Sequence, residues 1–256
     1  MAEKLSEKDI ENINIEGTEE YAVMPLRNTV LFPQQVIPIY IGREKSLKLI
    51  SDIELEKRKY IIVVAQEDGS IEDPSTEDLY SYGTLATVLK VFAMPDNSKS
   101  AIVQGIARVK ILDYLSKEPY FKAAASKVSD DPISDSLELD DIVDNLRTSF
   151  ADLIKVAPNL TEEHTGMLSN IKKPNRLVDR AISLMTLPNQ EKQEILEEVN
   201  IKSRIDKAIS IINREIQRIK LGEEIQTEVH DEIAKTQREY YLREQMKAIQ
   251  KELGED

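Results

Sequence analysis

Along the first half of the chain apolar residues come in short runs or alternate with polar ones; along the second half they recur every three or four positions. That switch of period predicts strands first and helices after. Ala22 to Leu26 and Gln35 to Ile41 are short apolar runs carrying Pro25 and Pro38. Proline donates no ladder hydrogen bond, so each is expected at a sheet edge or a strand end. Between them, Arg27 to Pro33 reads as a turn and a packed loop. Gly42 is placed to start a helix over Arg43 to Lys57, with Leu47, Ile50 and Ile53 facing inward. Tyr60 to Ala65 is a continuous apolar run rich in β-branched residues, the pattern of a strand buried on both faces.

An acidic loop, Gln66 to Asp78, precedes two longer strands, Gly83 to Met94 and Ala101 to Leu112; Pro95-Asp96-Asn97-Ser98 between them has the residue types of a tight turn. Strict alternation puts Leu89, Val91 and Ala93 on one face of this hairpin and Val88, Lys90, Phe92 and Met94 on the other. Lys90 prefers water, which leaves Phe92 and Met94 partly exposed near the tip; the alternative is that they pack on a neighbouring strand or loop. Tyr120 to Val128 is the last β-rich piece, and Ser129 to Ser134 is an acidic, turn-rich junction.

Beyond the junction, Leu139, Ile142, Val143, Leu146, Phe150, Leu153, Ile154 and Ala157 follow a helical period until Pro158. Thr161 is placed to cap a short helix reaching about Lys172, and Pro174 suits the first turn of the next, whose stripe is Leu177, Val178, Ala181, Ile182 and Met185. A fourth helix covers Glu191 to Val199. Ile205, Ile209, Ile212, Ile216 and Ile219 then form a heptad seam that resumes after Gly222 as Ile225, Val229 and Ile233, and again as Leu242, Met246, Ile249 and Leu253. Unbroken from Ile201 to Gly254, such a helix is roughly 80 Å long at about 1.5 Å per residue. A domain of this size cannot cover its second half, so Tyr240, Tyr241, Leu242, Met246 and Ile249 are expected to need an absent partner or another copy of themselves. A hairpin folding back at Gly222 is the alternative, since glycine costs about 1 kcal/mol in a helix interior. The chain thus divides into a disordered acidic leader (1–20), a β-rich subdomain (21–128), a helical bundle (129–199) and a long helix (200–256).

Charge and composition narrow the chemistry. With no cysteine there is no disulfide, thiolate nucleophile or Cys-based zinc site. The net charge of −13 opposes phosphate backbones, and residues 21–125 balance 13 basic against 13 acidic groups, so nucleic acid is not an expected partner. No apolar run is long enough to span a membrane and the N-terminus is too polar for a signal peptide, so a cytoplasmic protein is expected. The glycines form neither a P-loop nor a dinucleotide fingerprint, and there is no G-x-S-x-G elbow. His164 and His230 read as surface helix residues, and the pairs Glu72-Asp73 and Asp130-Asp131 as solvated loop carboxylates. No catalytic group and no metal site is expected in this chain.

Specific stretches carry a resemblance. Val23 to Pro33 with Ile37-Pro38-Ile39 and Gly42 to Ser46, then Asp78 to Thr84, the Met94-Pro95-Asp96 turn leading to Val103 through Arg108, and Pro119 to Ala123 resemble the N-terminal domain of the ATP-dependent Lon protease family. Gln237 to Gly254 is similar to the helix that runs into that family's ATPase module. The resemblance implies an α+β chain: a PUA-like, β-rich pseudo-barrel subdomain followed by a helical bundle and a long C-terminal helix. It also implies a role in engaging unfolded or damaged protein substrates and in organising a hexameric ring. The AAA+ nucleotide site, using ATP and Mg, and the Ser-Lys peptidase dyad would lie downstream of Asp256, so the chain reads as a fragment. Gln34-Gln35 departs from the family pattern in the Phe32 to Pro38 loop. Phe92 and Met94, with Pro38, are the candidate substrate-binding residues, methionine's adaptable thioether suiting varied partners; Tyr240, Tyr241, Leu242, Met246 and Ile249 are the candidate partner helix, through which the fragment would form at most a weak dimer or oligomer. A coiled-coil adaptor or scaffold is the alternative function, and it leaves the proline-punctuated β-unit unexplained.

Overall fold

The computed structural model describes residues 19–56, 60–131 and 136–253. The expected leader therefore lies, up to residue 18, outside the described residues. Six strands are followed by five helices: β1 (Glu20–Leu26), β2 (Val36–Ile41), α1 (Glu44–Glu56), β3 (Ile61–Ala65), β4 (Tyr82–Ala93), β5 (Lys99–Ser116), β6 (Lys122–Lys127), α2 (Ser136–Val156), α3 (Glu162–Ser169), α4 (Pro174–Leu184), α5 (Asn189–Glu197) and α6 (Ile201–Leu253), with α1 inserted between β2 and β3.

The strands form one sheet in the order β2-β5-β4-β3-β1-β6, and the second half of β5 pairs again with β6, so five strands close on themselves and β2 is added at one edge. Only β1 and β3 run parallel. β3 shows why its run reads as buried on both faces. Ile62 and Val64 point into the core enclosed by the ring, with Val23, Leu85, Val109 and Phe121, whereas Ile61 and Val63 point outward into a second core against Leu49 and Ile50 of α1. The prolines obey the ladder rule. Pro25 pairs with Val64 beyond the short stretch where β1 meets β6, and Pro38 lies on the edge strand β2. Helix α1 buries Ser46, Leu49, Ile50 and Ile53, with Leu47 only half-buried, so its inward face is rotated from the expected one.

A third core lies under the helices, where Leu146, Phe150 and Leu153 of α2, Leu177, Val178, Ala181 and Ile182 of α4, Ile195 and Leu196 of α5, and Ile205, Ala208 and Ile212 of α6 meet Val30, Phe32 and Ala65 from the β-rich part. Pro174 stands at N1 of α4. The loop after β1 reaches this core by lying flat on the sheet. Thr84 Oγ1 donates to the Leu31 carbonyl at 2.5 Å, Gln34 N–H donates to the Gly105 carbonyl and Gly105 N–H to the Gln35 carbonyl, each at 2.9 Å. At Gly105 a Cβ would stand 2.2 Å from the Phe32 carbonyl oxygen, so only glycine allows this approach.

Four charges meet at the junction, with Arg108, Asp179 and Arg204 buried and Asp130 partly so. Arg108 of β5 donates to Asp179 of α4 at 2.5 Å and, through Nε, to the Leu196 carbonyl at 2.9 Å. Arg204 in the first turn of α6, with no solvent exposure, pairs with Asp130 and donates through Nε to the Glu198 carbonyl at 2.6 Å. Asn175 Nδ2 donates to Asp130 at 2.7 Å. Asp130 is therefore not a solvated loop carboxylate, as its acidic neighbourhood suggests. Burial pushes its carboxyl up, but Arg108 and Arg204 beside it prevail and hold it below its ordinary value of 3.8. Glu72 and Asp73, in contrast, are exposed as expected.

Helix α6 continues through Gly222 without a break, which removes the hairpin alternative, and every residue from Leu221 to Glu252 is exposed. Two outcomes are expected. Gly105→Ala should cost about 3 kcal/mol in denaturant titration, the price of overpacking against a fixed carbonyl. Because Asp130 has a lower pKa folded than unfolded, its stabilisation is fully present above pH 3.8 and is lost as the pH falls below it. Acid unfolding followed by circular dichroism should thus depend less steeply on pH in Asp130→Asn, which should also be less stable at neutral pH.

Candidate functional site

Where β2 pairs with the hairpin ends of β5 and β4, one face is buried against α1 and the other is open to solvent; farther from the tip, β4 and β5 also contribute Leu85, Ile106 and Val109 to the ring core. Directly paired residues share a face. The register sets Pro38, Ile102 and Lys90 in one cross-strand row, and Tyr40, Ser100 and Phe92 in the next. The intervening Ala101 and Val103 are buried in the α1 core with Ile39 and Ile41. A bulge at Leu89 corrects the strict alternation expected for β4. Val88 pairs with Val103 and Lys90 already with Ile102, so Val88 and Val91 both pack on the α1 core while Lys90 and Phe92 face out.

Phe92 and Met94 are 38% and 41% exposed, and Pro38 is exposed as well. The Lys90 ammonium stands 4.6 Å from the Phe92 ring centroid, a cation–π contact that leaves the ring accessible beside it. The hairpin tip is fixed by its own chemistry. Asn97 takes the left-handed conformation at φ 63° and donates to the Met94 carbonyl at 3.2 Å, while Met94 N–H donates to the Ser98 carbonyl at 2.9 Å. Asp96 accepts from the Ser98 hydroxyl at 2.5 Å and its backbone N–H at 3.1 Å, and these bonds hold its carboxyl below the ordinary value. Tyr40 Oη donates to Asp96 at 3.2 Å and ties β2 to the tip. Tyr40, 67% exposed, and Val36 belong to this face although neither stands out in the sequence. The burial of Ile39 and Ile41 is the signal that finds them, since alternation then turns residues 36, 38 and 40 outward.

A cavity of about 420 Å³ lies behind this face, floored by Pro25, Leu49, Tyr120 and Phe121 and rimmed by Arg27, Arg43 and Lys45 against Glu72 and Asp73. Burial, and then the neighbouring Arg27, pull the Arg43 guanidinium below its ordinary value. The mixed charges of the rim cancel, which suits neutral polar groups better than an ion.

The other candidate residues stand apart. Tyr240, Tyr241, Leu242, Met246 and Ile249 are all exposed on α6, roughly 30 to 45 Å along the helix from Ile219, the last residue packed on the helical core, at about 1.5 Å per residue. His164 is a capping residue, its Nδ1 accepting from the Thr161 N–H at 3.0 Å, and His230 is exposed. Among the described residues no cluster of three His, Cys, Asp or Glu side chains is placed to hold a metal ion, and no helix is long and apolar enough to cross a membrane.

The same architecture occurs in solved structures. The N-terminal domain of the Mycobacterium avium complex Lon protease superposes with a TM-score of 0.62 at 19% identity, over 76% of this chain and 98% of that one. A Lon N-terminal domain protein from Xanthomonas campestris gives 0.52 at 15% identity, over 75% and 98%. In sequence, the chain is 39% identical over 237 residues to the Lon protease of Dictyoglomus thermophilum and 41% identical over 234 residues to that of Koribacter versatilis; these alignments cover 93% and 91% of this chain but 30% and 28% of the relatives. The chain spans under a third of the length of the curated relatives it matches. The family model for the substrate-binding domain of ATP-dependent protease La (LON) matches residues 20–214, the closed sheet, the helical layer and the first turns of α6 together, and the chain belongs to that family.

Proposed function

We propose that this chain is the client-gripping part of a Lon-type, ATP-dependent serine protease of the cytoplasm. It holds apolar segments of unfolded or damaged proteins and presents them to an AAA+ module and a Ser-Lys peptidase carried by other parts of a longer protein, where ATP and magnesium act. The closed five-stranded ring supports reading the β-rich part as a PUA-like pseudo-barrel, and the four helices packed with the start of α6 support the bundle.

The exposed face bearing Pro38, Tyr40, Phe92 and Met94 carries this reading. Folded surfaces rarely leave several large apolar side chains side by side, and unfolded chains differ from folded ones in offering the same. A shallow face gives weak, sequence-tolerant contact. Six copies in a ring would raise the local concentration of such sites and replace tight binding by avidity.

The exposed stripe on α6 favours a second role, association of copies or seating of the next module; on its own it would fit a coiled-coil adaptor, but that reading leaves the apolar sheet face without a use.

Titrating the chain with a permanently unfolded, fluorescently labelled protein tests the first reading. Phe92→Ser with Met94→Ser should weaken binding by about 1–2 kcal/mol, roughly 5- to 30-fold, with an unchanged melting temperature. Equal affinity would remove both residues from the site. Sedimentation at rising concentration tests the second. Weak self-association is expected, and Leu242→Ser with Met246→Ser and Ile249→Ser should abolish it; a monomer at every concentration would count against it.

A further inference from the structure

The face of α4 opposite its apolar stripe carries Arg176, Asp179, Arg180 and Ser183, spaced i, i+3, i+4 and i+7, and lines a groove of about 610 Å³ between that helix and the Phe32–Val36 loop. Lys172 and Lys173, at the mouth of the same groove, bring the cations to four. The one carboxylate among the lining residues, Asp179, is turned inward and engaged by Arg108. Lys173 and Arg176 are already engaged with other groups, so Lys172 and Arg180 supply the groove's available positive charge in a chain of net charge −13.

The groove is built rather than incidental. Arg147 donates to the Leu168 and Ile171 carbonyls, both at 2.7 Å, and so pins the loop that bears Lys172 and Lys173. Gln34, at φ 65°, brings its side-chain amide to Arg176; with the oxygen turned toward the guanidinium it accepts from Nε at 2.7 Å and Nη2 at 2.8 Å. Arg180 has no ion pair or side-chain hydrogen bond among the described residues, and burial alone pulls its guanidinium below the ordinary value. A half-buried cation without a partner lacks both full hydration and a counter-charge, which favours an incoming anion.

The geometry points to this groove as a second contact for the polypeptide client, one that takes acidic side chains of an extended segment whose apolar residues lie on the β2-β5-β4 face; this rests on the client-gripping reading. Val36 lines the groove and is also exposed on that face, so the two surfaces are continuous through the start of β2. Pro33 and Ile171 add apolar walls, and Asn170 stands at the same groove with an amide for a peptide backbone. A client segment mixing carboxylates with apolar residues matches that lining, whereas a long polyanion would meet the acidic remainder of the surface.

Fluorescence anisotropy of the whole chain with a short labelled peptide of alternating Glu and Leu, compared with its Gln isostere, tests the assignment. The Glu peptide should bind more tightly, weaken with added salt and lose about tenfold in affinity in Lys172→Glu with Arg180→Glu, whose circular dichroism and melting temperature should match the parent. The same variant should bind an uncharged, apolar unfolded chain normally. Equal binding of the Glu and Gln peptides, or an unaltered affinity in the variant, overturns the proposal, as does a short polyphosphate or oligonucleotide that uses these residues while the Glu peptide does not. If the Glu peptide behaves as expected and Phe92→Ser with Met94→Ser leaves unfolded-chain binding intact, the groove stands and the apolar-face reading falls.

Discussion

The largely buried cluster of Arg108, Asp130, Asp179 and Arg204 joins the sheet, the helical layer and the base of α6, and the relative placement of these parts depends on it. Desolvating four charges is expensive, and mutual attraction offsets that cost only when the groups are paired and their remaining donors satisfied. Here the charges cancel, and the two guanidinium groups also reach the Leu196 carbonyl in the last turn of α5 and the Glu198 carbonyl just after it; Arg204 Nη1 makes no hydrogen bond and is held only by the Asp179 charge at 3.6 Å. Apolar packing tolerates sliding; these directional contacts do not. The helix they anchor is 53 residues long, about 80 Å at about 1.5 Å per residue, so an error of about 10° at its base would move its far end by about 14 Å. A charged anchor at the first turn sets the direction of a long lever.

The sheet spends its faces with similar economy. β3 serves two cores at once, and the loop after β1 feeds Val30 and Phe32 into a third across Gly105. α1 covers one side of β2 and of the hairpin ends of β5 and β4, and on the opposite side of that stretch Pro38, Tyr40 and Phe92 stay exposed. An exposed apolar face beside an edge strand invites aggregation, and three features restrain it: Pro38 withholds a donor from the edge, the bulge at Leu89 interrupts the ladder, and Lys90 places a charge over Phe92. The same features keep any contact made there weak.

Much of this was legible from residue order. The strand and helix sequence, the hairpin with its turn at Asp96 and Asn97, the Pro174 start of α4 and the continuous α6 follow from period, proline placement and turn chemistry. The buried charges were not legible, because arginine and aspartate are solvated by default and only tertiary pairing, with Asp130 at its edge, takes Arg108, Asp179 and Arg204 into the core. The bulge was equally hidden: Leu89 fits a regular strand, and the extra residue is visible only against the register of β5. Phe92, Met94 and Pro38 were found from separate clues; that they share one face with Tyr40 required the β2-β5-β4 pairing, which joins strands distant in sequence. The basic groove is not legible in the sequence because its cations come from one loop and a helix face in a segment that is acidic overall.

A surface that must accept many unfolded chains cannot depend on a deep, shaped pocket, since shape complementarity to one side chain excludes others. On the client-gripping reading, discrimination has to come from what all unfolded chains share and folded ones hide. An apolar face rewards exposed hydrophobic residues, and the acidic remainder of the surface repels acidic folded proteins at a distance. Repulsion of that kind would also turn away acidic clients, unless a local positive groove compensates for it next to the apolar contact. The continuity of the two surfaces at Val36 gives such compensation a physical route, within reach of the same bound segment.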